Sequence, residues 1–131
     1  KREFKGLVDA VLKIDARLNA DVRKRGLIHV DGKKEFAMDG ERQLMLVDTF
    51  GTADEDRFWD LAAYKKGQQV ELSKEFVRQF YRTIGYHKAL MDARAAGKPE
   101  PDIPPLPDEV TKQVSDLYVN LFERLTGEKF R

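Results

Sequence analysis

Two short β-prone runs, residues 35–38 and 43–47, bracket Asp39-Gly40, and this arrangement limits the possible folds more than any other feature. An Asp-Gly dipeptide between strand-forming runs predicts an antiparallel hairpin with a type I′ turn. Glu41 and Arg42 make the expected loop longer than the minimal one. Lys33 and Glu35 stand at the entry of the hairpin and Asp48 at its exit. Charges gathered on neighbouring strands cost packing and cross-strand repulsion unless something between them compensates. Paired across the turn, Glu35 and Asp48 can face the same side as oxygen ligands for Mg²⁺, which takes one or two protein carboxylates and completes its shell with phosphate and water. On spacing alone, solvated carboxylates on a sheet edge are the commoner reading of such a pair.

The remainder of the chain is mostly helical in pattern. Phe4, Leu7, Val8, Val11, Leu12, Leu18 and Val22 recur at three- and four-residue spacing, which predicts an amphipathic helix over about residues 3–25. Gly26 stands where a left-handed cap would end it. Residues 27–30 read as strand, residues 49–56 as a loop rich in Gly, Thr and Asp, and residues 57–64 as a short helix or turn. Ser73 is a candidate N-cap for a helix over 74–84 with Phe76, Val77, Phe80 and Ile84 facing the core. All five prolines fall within 99–107, which predicts an extended linker. Asp108 and Glu109 open a final helix that Gly127 ends, with Val110, Val114, Leu117, Tyr118, Leu121, Phe122 and Leu125 as its apolar stripe. The fold class expected is α+β: an antiparallel hairpin or sheet with helices packed on it.

Charge narrows the functional classes. Acids and bases nearly cancel to a net +1 although 36% of the 131 residues are charged. That mixture argues against a nucleic-acid binder, which would gather Lys and Arg on one face. With no Cys, disulfides and thiolate metal sites are excluded and a cytoplasmic location is the expectation. No apolar run approaches the roughly 18 residues of a membrane span, so no membrane partner is expected. No secretory leader stands at the start of these residues.

Several single residues have two readings. Arg57 follows Asp54-Glu55-Asp56 and precedes Phe58-Trp59. Its guanidinium can grip a phosphate bidentately or pair with Asp54 or Asp56. Lys33 and Lys34 alternate across a strand, so only one of them can share a face with the neighbours of Glu35. His29 and His87 read as structural, and Trp59 as a packing anchor. Neither a nucleophile elbow, a cysteine nucleophile nor a glycine-rich phosphate loop is present.

GLIHVDGKKEF followed by LMLVDTFGTADEDRFWD resembles the C-terminal half of the phosphoribosylaminoimidazole-succinocarboxamide synthases (SAICAR synthetases) of purine biosynthesis. SKEFVRQFYRTIGY resembles the family helix that starts near a Lys and carries an Arg, and PPLPDEVTKQVSDLYVNLFERLTGEKF resembles its closing helix. The resemblance runs from about residue 7 to the C-terminus. It implies that residues 1–131 form the C-terminal ATP/Mg²⁺- and CAIR-binding part of the enzyme, with the N-terminal nucleotide-binding lobe as partner. The implied reaction joins L-aspartate to the carboxylate of 5-amino-4-carboxyimidazole ribotide (CAIR), using ATP and Mg²⁺ and passing through an acyl phosphate. By the same resemblance Glu35 and Asp48 hold Mg²⁺ and the nucleotide phosphates, and Asp31 and Lys33 face the CAIR and metal region as catalytic candidates. Asp54 and Arg57 contact CAIR, Arg57 at its 5′-phosphate, with Lys74 and Arg78 as further substrate-binding candidates. Homo-oligomers occur among such enzymes.

The departures from the family pattern are Thr49 where Glu is usual after the second-strand Asp, Ala53 where Pro is usual, and an apparent insertion over 88–103. Thr49 keeps open an alternative, a non-catalytic interaction domain on the same scaffold. The retention of Lys33, Glu35, Asp48 and Arg57 together favours the enzyme, of which the isolated chain is expected to be an inactive part.

Overall fold

The computed structural model describes residues 2–131, with side chains from Glu3 onward. Helix α1, Arg2–Lys24, has Glu3 in its first turn and Arg23 and Lys24 in its last, the charge order that the helix dipole favours. Gly26, at φ 71°, closes it in the left-handed conformation that the sequence anticipates. Only the end of its apolar stripe reaches the core: Val22 is buried, whereas Phe4, Val8, Val11 and Leu12 are exposed.

Four strands follow: β1 Leu27–Gly32, β2 Phe36–Met38, β3 Leu44–Leu46 and β4 Asp56–Asp60. They form two separate two-stranded antiparallel sheets rather than one, β1 with β4 and β2 with β3. The β2–β3 hairpin has the expected strands but a different turn. Arg42, at φ 61°, takes the left-handed position, so the turn is not type I′ on Asp39-Gly40. Asp39 Oδ1 accepts the N–H groups of Glu41 (2.9 Å) and Gln43 (2.7 Å), so its side chain organises the longer loop.

Strand β4 is the chief departure from the expected pattern. The segment 57–64, read as a short helix or turn, divides into a strand and the one-turn helix α2, Leu61–Tyr64. Asp60 makes the division, since its side chain accepts the N–H of Ala63 at 2.8 Å and caps α2. Alternation then places Asp56 and Phe58 on the buried face of β4 and Leu27 and His29 on that of β1. His29 stands opposite Phe58, but the register shifts past Val30, so that Asp31 opposes Arg57 and Gly32 opposes Asp56.

Three helices complete the chain: α3 Glu75–Thr83, α4 Tyr86–Ala95 and α5 Asp108–Thr126. The N-cap of α3 is Lys74, with no side-chain capping bond, rather than Ser73, which is fully buried one residue earlier with its Oγ 3.4 Å from the Glu75 N–H. Phe76, Val77 and Phe80 are only half-buried and Ile84 is exposed. Helix α4 is not anticipated by the sequence pattern. The proline segment is irregular as expected, yet it is held: the Tyr81 and Tyr86 hydroxyls donate to the carbonyls of Pro104 (2.8 Å) and Pro101 (3.3 Å). The core joins Val22, Leu27, Ala53, Phe58 and Leu121, so α5 packs across α1 and the β1–β4 pair. Arg124 fastens that packing by donating to Asp60 Oδ2 (3.1 Å) and the Gly26 carbonyl (2.7 Å).

Candidate active site

The end of β1, the start of β4 and the first turns of α3 enclose a polar cleft of about 740 Å³. Six of the eight residues singled out in the sequence line it: Asp31, Lys33, Asp54, Arg57, Lys74 and Arg78. β1 supplies Asp31 directly and Lys33 just beyond its end. The loop before β4 supplies Asp54, β4 supplies Arg57, and α3 with its entry supplies Lys74 and Arg78. Glu35 and Asp48 stand beside this wall at the open ends of the hairpin, where the N–H of Val47 donates to the Glu35 carbonyl at 3.0 Å. Lys33 connects the two groups, with its ammonium hydrogen-bonded to Glu35 and 4.0 Å from Asp48 Oδ2.

Every cation of the cleft has an intramolecular partner. Arg57 pairs with Asp31 rather than with Asp54 or Asp56, through Nε to Oδ1 at 2.8 Å and a terminal nitrogen to Oδ2. The register shift past Val30 is the reason, because it sets the two residues opposite each other. The Asp31 hydrogen bond raises the Arg57 pKa, and the same contact lowers that of Asp31. Lys33 is likewise raised by its bond to Glu35. Lys74 Nζ lies 3.3 Å from Asp54 Oδ1. Arg78 (3.4 Å) and Arg82 both meet Glu75, a carboxylate that is almost wholly buried. Burial pushes the Glu75 carboxyl up, but Arg82 and then Arg78 outweigh this and hold it below the ordinary range.

The exposed pairs matter chemically because such contacts are typically worth only about 0–1 kcal/mol. An arriving phosphate or carboxylate can exchange with Asp31 or Asp54 at small cost. The cleft therefore sets guanidinium and ammonium groups against carboxylates in pairs that are mostly solvent-exposed, with two further carboxylates at its rim. Among the described residues, no three His, Cys, Asp or Glu side chains gather as metal ligands.

Sequence reasoning missed Asp56, Lys34, Glu75 and Arg82. For Asp56 a signal existed: strand alternation through Asp56-Arg57-Phe58 turns it to the same side as buried Phe58. His29 is structural as read, buried between Asp15 and Asp56 at 3.2 Å from each. Trp59 is a packing anchor, stacked on Tyr64 with Nε1 2.6 Å from Glu71 Oε1.

Known proteins bear on this arrangement. The family model for SAICAR synthetase matches residues 1–92. The phosphoribosylaminoimidazole-succinocarboxamide synthase of Thermoplasma volcanium is 60% identical over 124 residues, covering 95% of this chain and 42% of the relative. That of Thermoplasma acidophilum is 55% identical over 130 residues, covering 99% of this chain and 44% of the relative. Thus the chain spans about two-fifths of the length of these relatives. Among solved structures, a SAICAR synthetase in complex with ADP superposes with a TM-score of 0.63 at 25% identity, over 98% of this chain and 40% of that one. The SAICAR synthase of Saccharomyces cerevisiae complexed with SAICAR shares the fold, with a TM-score of 0.73 at 24% identity over 96% of this chain and 39% of that one. With the family model matching residues 1–92, the hairpin and cleft loop among them, and relatives 55–60% identical over at least 95% of the chain, the chain belongs to the SAICAR synthetase family.

Proposed function

We propose that this chain forms the substrate- and metal-binding part of an ATP-dependent ligase that joins L-aspartate to CAIR, giving SAICAR, ADP and phosphate. The observation that carries the reading is the convergence of Asp31, Lys33, Asp54, Arg57, Lys74 and Arg78 on one polar cleft from three separate stretches of chain. A structural neighbour bound to ADP and another complexed with SAICAR support the same ligand classes.

ATP, when bound, supplies the phosphoryl group that activates the CAIR carboxylate toward the aspartate amine. The chain's own residues bind and orient. Arg57 presents its planar fork to the 5′-phosphate of the ribotide, with Asp31 fixing the direction of the fork until the ligand arrives. Lys74 and Arg78 add charge on the facing helix, and Asp54 sets the Lys74 ammonium toward the cleft mouth. Lys33, held between Glu35 and Asp48, is placed to offset negative charge that develops on transferring oxygens. Glu35 and Asp48 would hold Mg²⁺, which needs only one or two protein carboxylates beside phosphate and water, in exchange for the Lys33 ammonium that they now share.

The test replaces the matching segment of the Thermoplasma volcanium synthetase with residues 1–131 and measures ADP release and SAICAR formation. CAIR- and aspartate-dependent turnover supports the reading. A folded chimera that binds nucleotide but turns over no CAIR would overturn it.

A further inference from the structure

Directly behind the cleft wall lies a buried charge cluster that the proposed chemistry does not use. The Asp56 side chain has no solvent exposure and that of Lys34 only 5%. Lys34 Nζ donates to Asp56 Oδ1 at 2.6 Å, and His29 Nε2 lies 3.2 Å from the same oxygen. The Gly51 N–H donates to the other oxygen. Burial pushes the Asp56 carboxyl up, but the bonds from His29, Lys34 and Gly51 outweigh it and hold the group below the ordinary carboxylate range. Lys34 also reaches the face of Phe50, 5.4 Å from its ring centroid.

A buried ion pair is by itself weak evidence for stability, since apolar residues of similar volume often serve as well. What separates this cluster is the set of atoms it fixes. Phe50 and Gly51 open the loop that carries Asp54. Asp56 is the residue before Arg57. Gly32, between Asp31 and Lys33, lies so close that a Cβ there would stand 1.2 Å from Asp56 Oδ1. The loop is closed on itself by the Asp56 N–H to the Thr52 carbonyl, and joined to α3 by the Lys74 N–H to the Ala53 carbonyl, each at 3.0 Å. Asp31, Lys33 and Asp54 therefore each sit within three residues of a group that the Asp56 carboxylate holds, and Arg57 directly follows Asp56 itself.

We infer that Asp56, locked by Lys34 and His29, is a positioning residue that aligns the loop and both strand ends of the cleft for an anionic ligand without touching it. This rests on the reading of the cleft as the seat of the ribotide phosphate. Asp56→Asn is the decisive change, because its amide must turn a donor toward either the Gly51 N–H or the Lys34 ammonium. Lys34→Met keeps the stem and leaves the carboxylate with His29 and Gly51.

The experiment follows amide exchange by NMR in the full-length Thermoplasma volcanium chimera that carries residues 1–131, with ribose 5-phosphate titrated as the probe. In Asp56→Asn, Gly51 exchange is expected to accelerate and the ribose 5-phosphate Kd to rise, each about tenfold or more, the size of one lost charge-assisted bond. Protection of Ile28 in the β1–β4 ladder stays at the wild-type level, and Lys34→Met keeps Gly51 protected. Unchanged Gly51 exchange, or faster exchange with unchanged Kd, would overturn the inference. If the wild type does not bind ribose 5-phosphate, the ribotide reading fails instead. The positioning role is then decided by the Arg57 Nε–H, whose protection by Asp31 must fall in Asp56→Asn. Should that variant not fold, Asp56→Asn/Lys34→Met removes both buried charges and is read in the same way.

Discussion

Arg57 and Asp31 form a two-bond pair across the β1–β4 ladder, with the Arg57 Nε 2.8 Å from Asp31 Oδ1 and a terminal nitrogen on Oδ2. Both side chains remain about half exposed, 40% for Arg57 and 56% for Asp31. The pair therefore aims the guanidinium without burying it.

Replacing Arg57 tests that role. Arg57→Ala in a full-length synthetase should raise the KM for CAIR roughly ten- to hundredfold, the effect of about 1.5–3 kcal/mol lost with a charge-assisted contact. The ATP constant should move little, and Arg57→Lys should recover only part of the loss because an ammonium lacks the fork. A variant with a lower melting temperature and normal CAIR kinetics would assign Arg57 to structure alone.

The hairpin rim makes a separate prediction. Asp48→Asn should weaken Mg²⁺-ADP binding to a full-length synthetase more than Thr49→Ala, because only the carboxylate is an anionic oxygen ligand. The Thr49 N–H itself donates to Asp48 Oδ1 at 2.8 Å, so Thr49→Ala leaves that contact in place. Isothermal calorimetry on the two variants decides it, and equal affinities would remove Asp48 from the metal site.

Gly32 and Gly40 should respond very differently to the same substitution. Gly32→Ala drives a Cβ into Asp56 and should cost at least about 1–3 kcal/mol, as overpacking does, or prevent folding. Nothing lies within 4 Å of a Cβ at Gly40, so Gly40→Ala should stay within about 0.5 kcal/mol. Urea denaturation of both, monitored by Trp59 fluorescence, provides the comparison.

Acid should unfold the chain through its buried carboxylates. Glu75 and Asp56 have folded pKa values below their ordinary ones, so the stability they contribute is complete above the ordinary carboxylate range. It is lost as pH falls through the lowered folded values, so melting temperatures should drop below about pH 4. Glu75→Gln should be less stable than the wild type at neutral pH and show a shallower acid slope. Parallel wild-type and Glu75→Gln slopes would mean that Glu75 is not a source of the acid sensitivity.

Much of this organisation was legible in the sequence because it follows from local rules. The three- and four-residue spacing of α1 and α5, the glycine stops at Gly26 and Gly127, and the hairpin around residues 39–42 depend on near neighbours along the chain. Even the site was partly readable, since the motif containing Asp54 and Arg57 and the one containing Asp31 and Lys33 are short, specific strings. By contrast, β4 was hidden: five residues of a Trp-containing acidic segment become a strand only because β1 offers them a partner, and Asp60 ends it by capping α2.

The sequence by itself determined the α+β class, the closing helix and six of the residues that line the cleft. Only the tertiary structure decided their partners. Arg57 pairs with Asp31 because the register shifts past Val30, a property of two strands together that neither strand carries alone. Asp56 and Lys34 become a buried pair because the β1–β4 sheet and the cleft loop close over them, and Gly32 leaves the space they fill. Local preference sets which residues are helical or extended, whereas the identity of a charge's partner depends on which strands meet, and that is settled by packing.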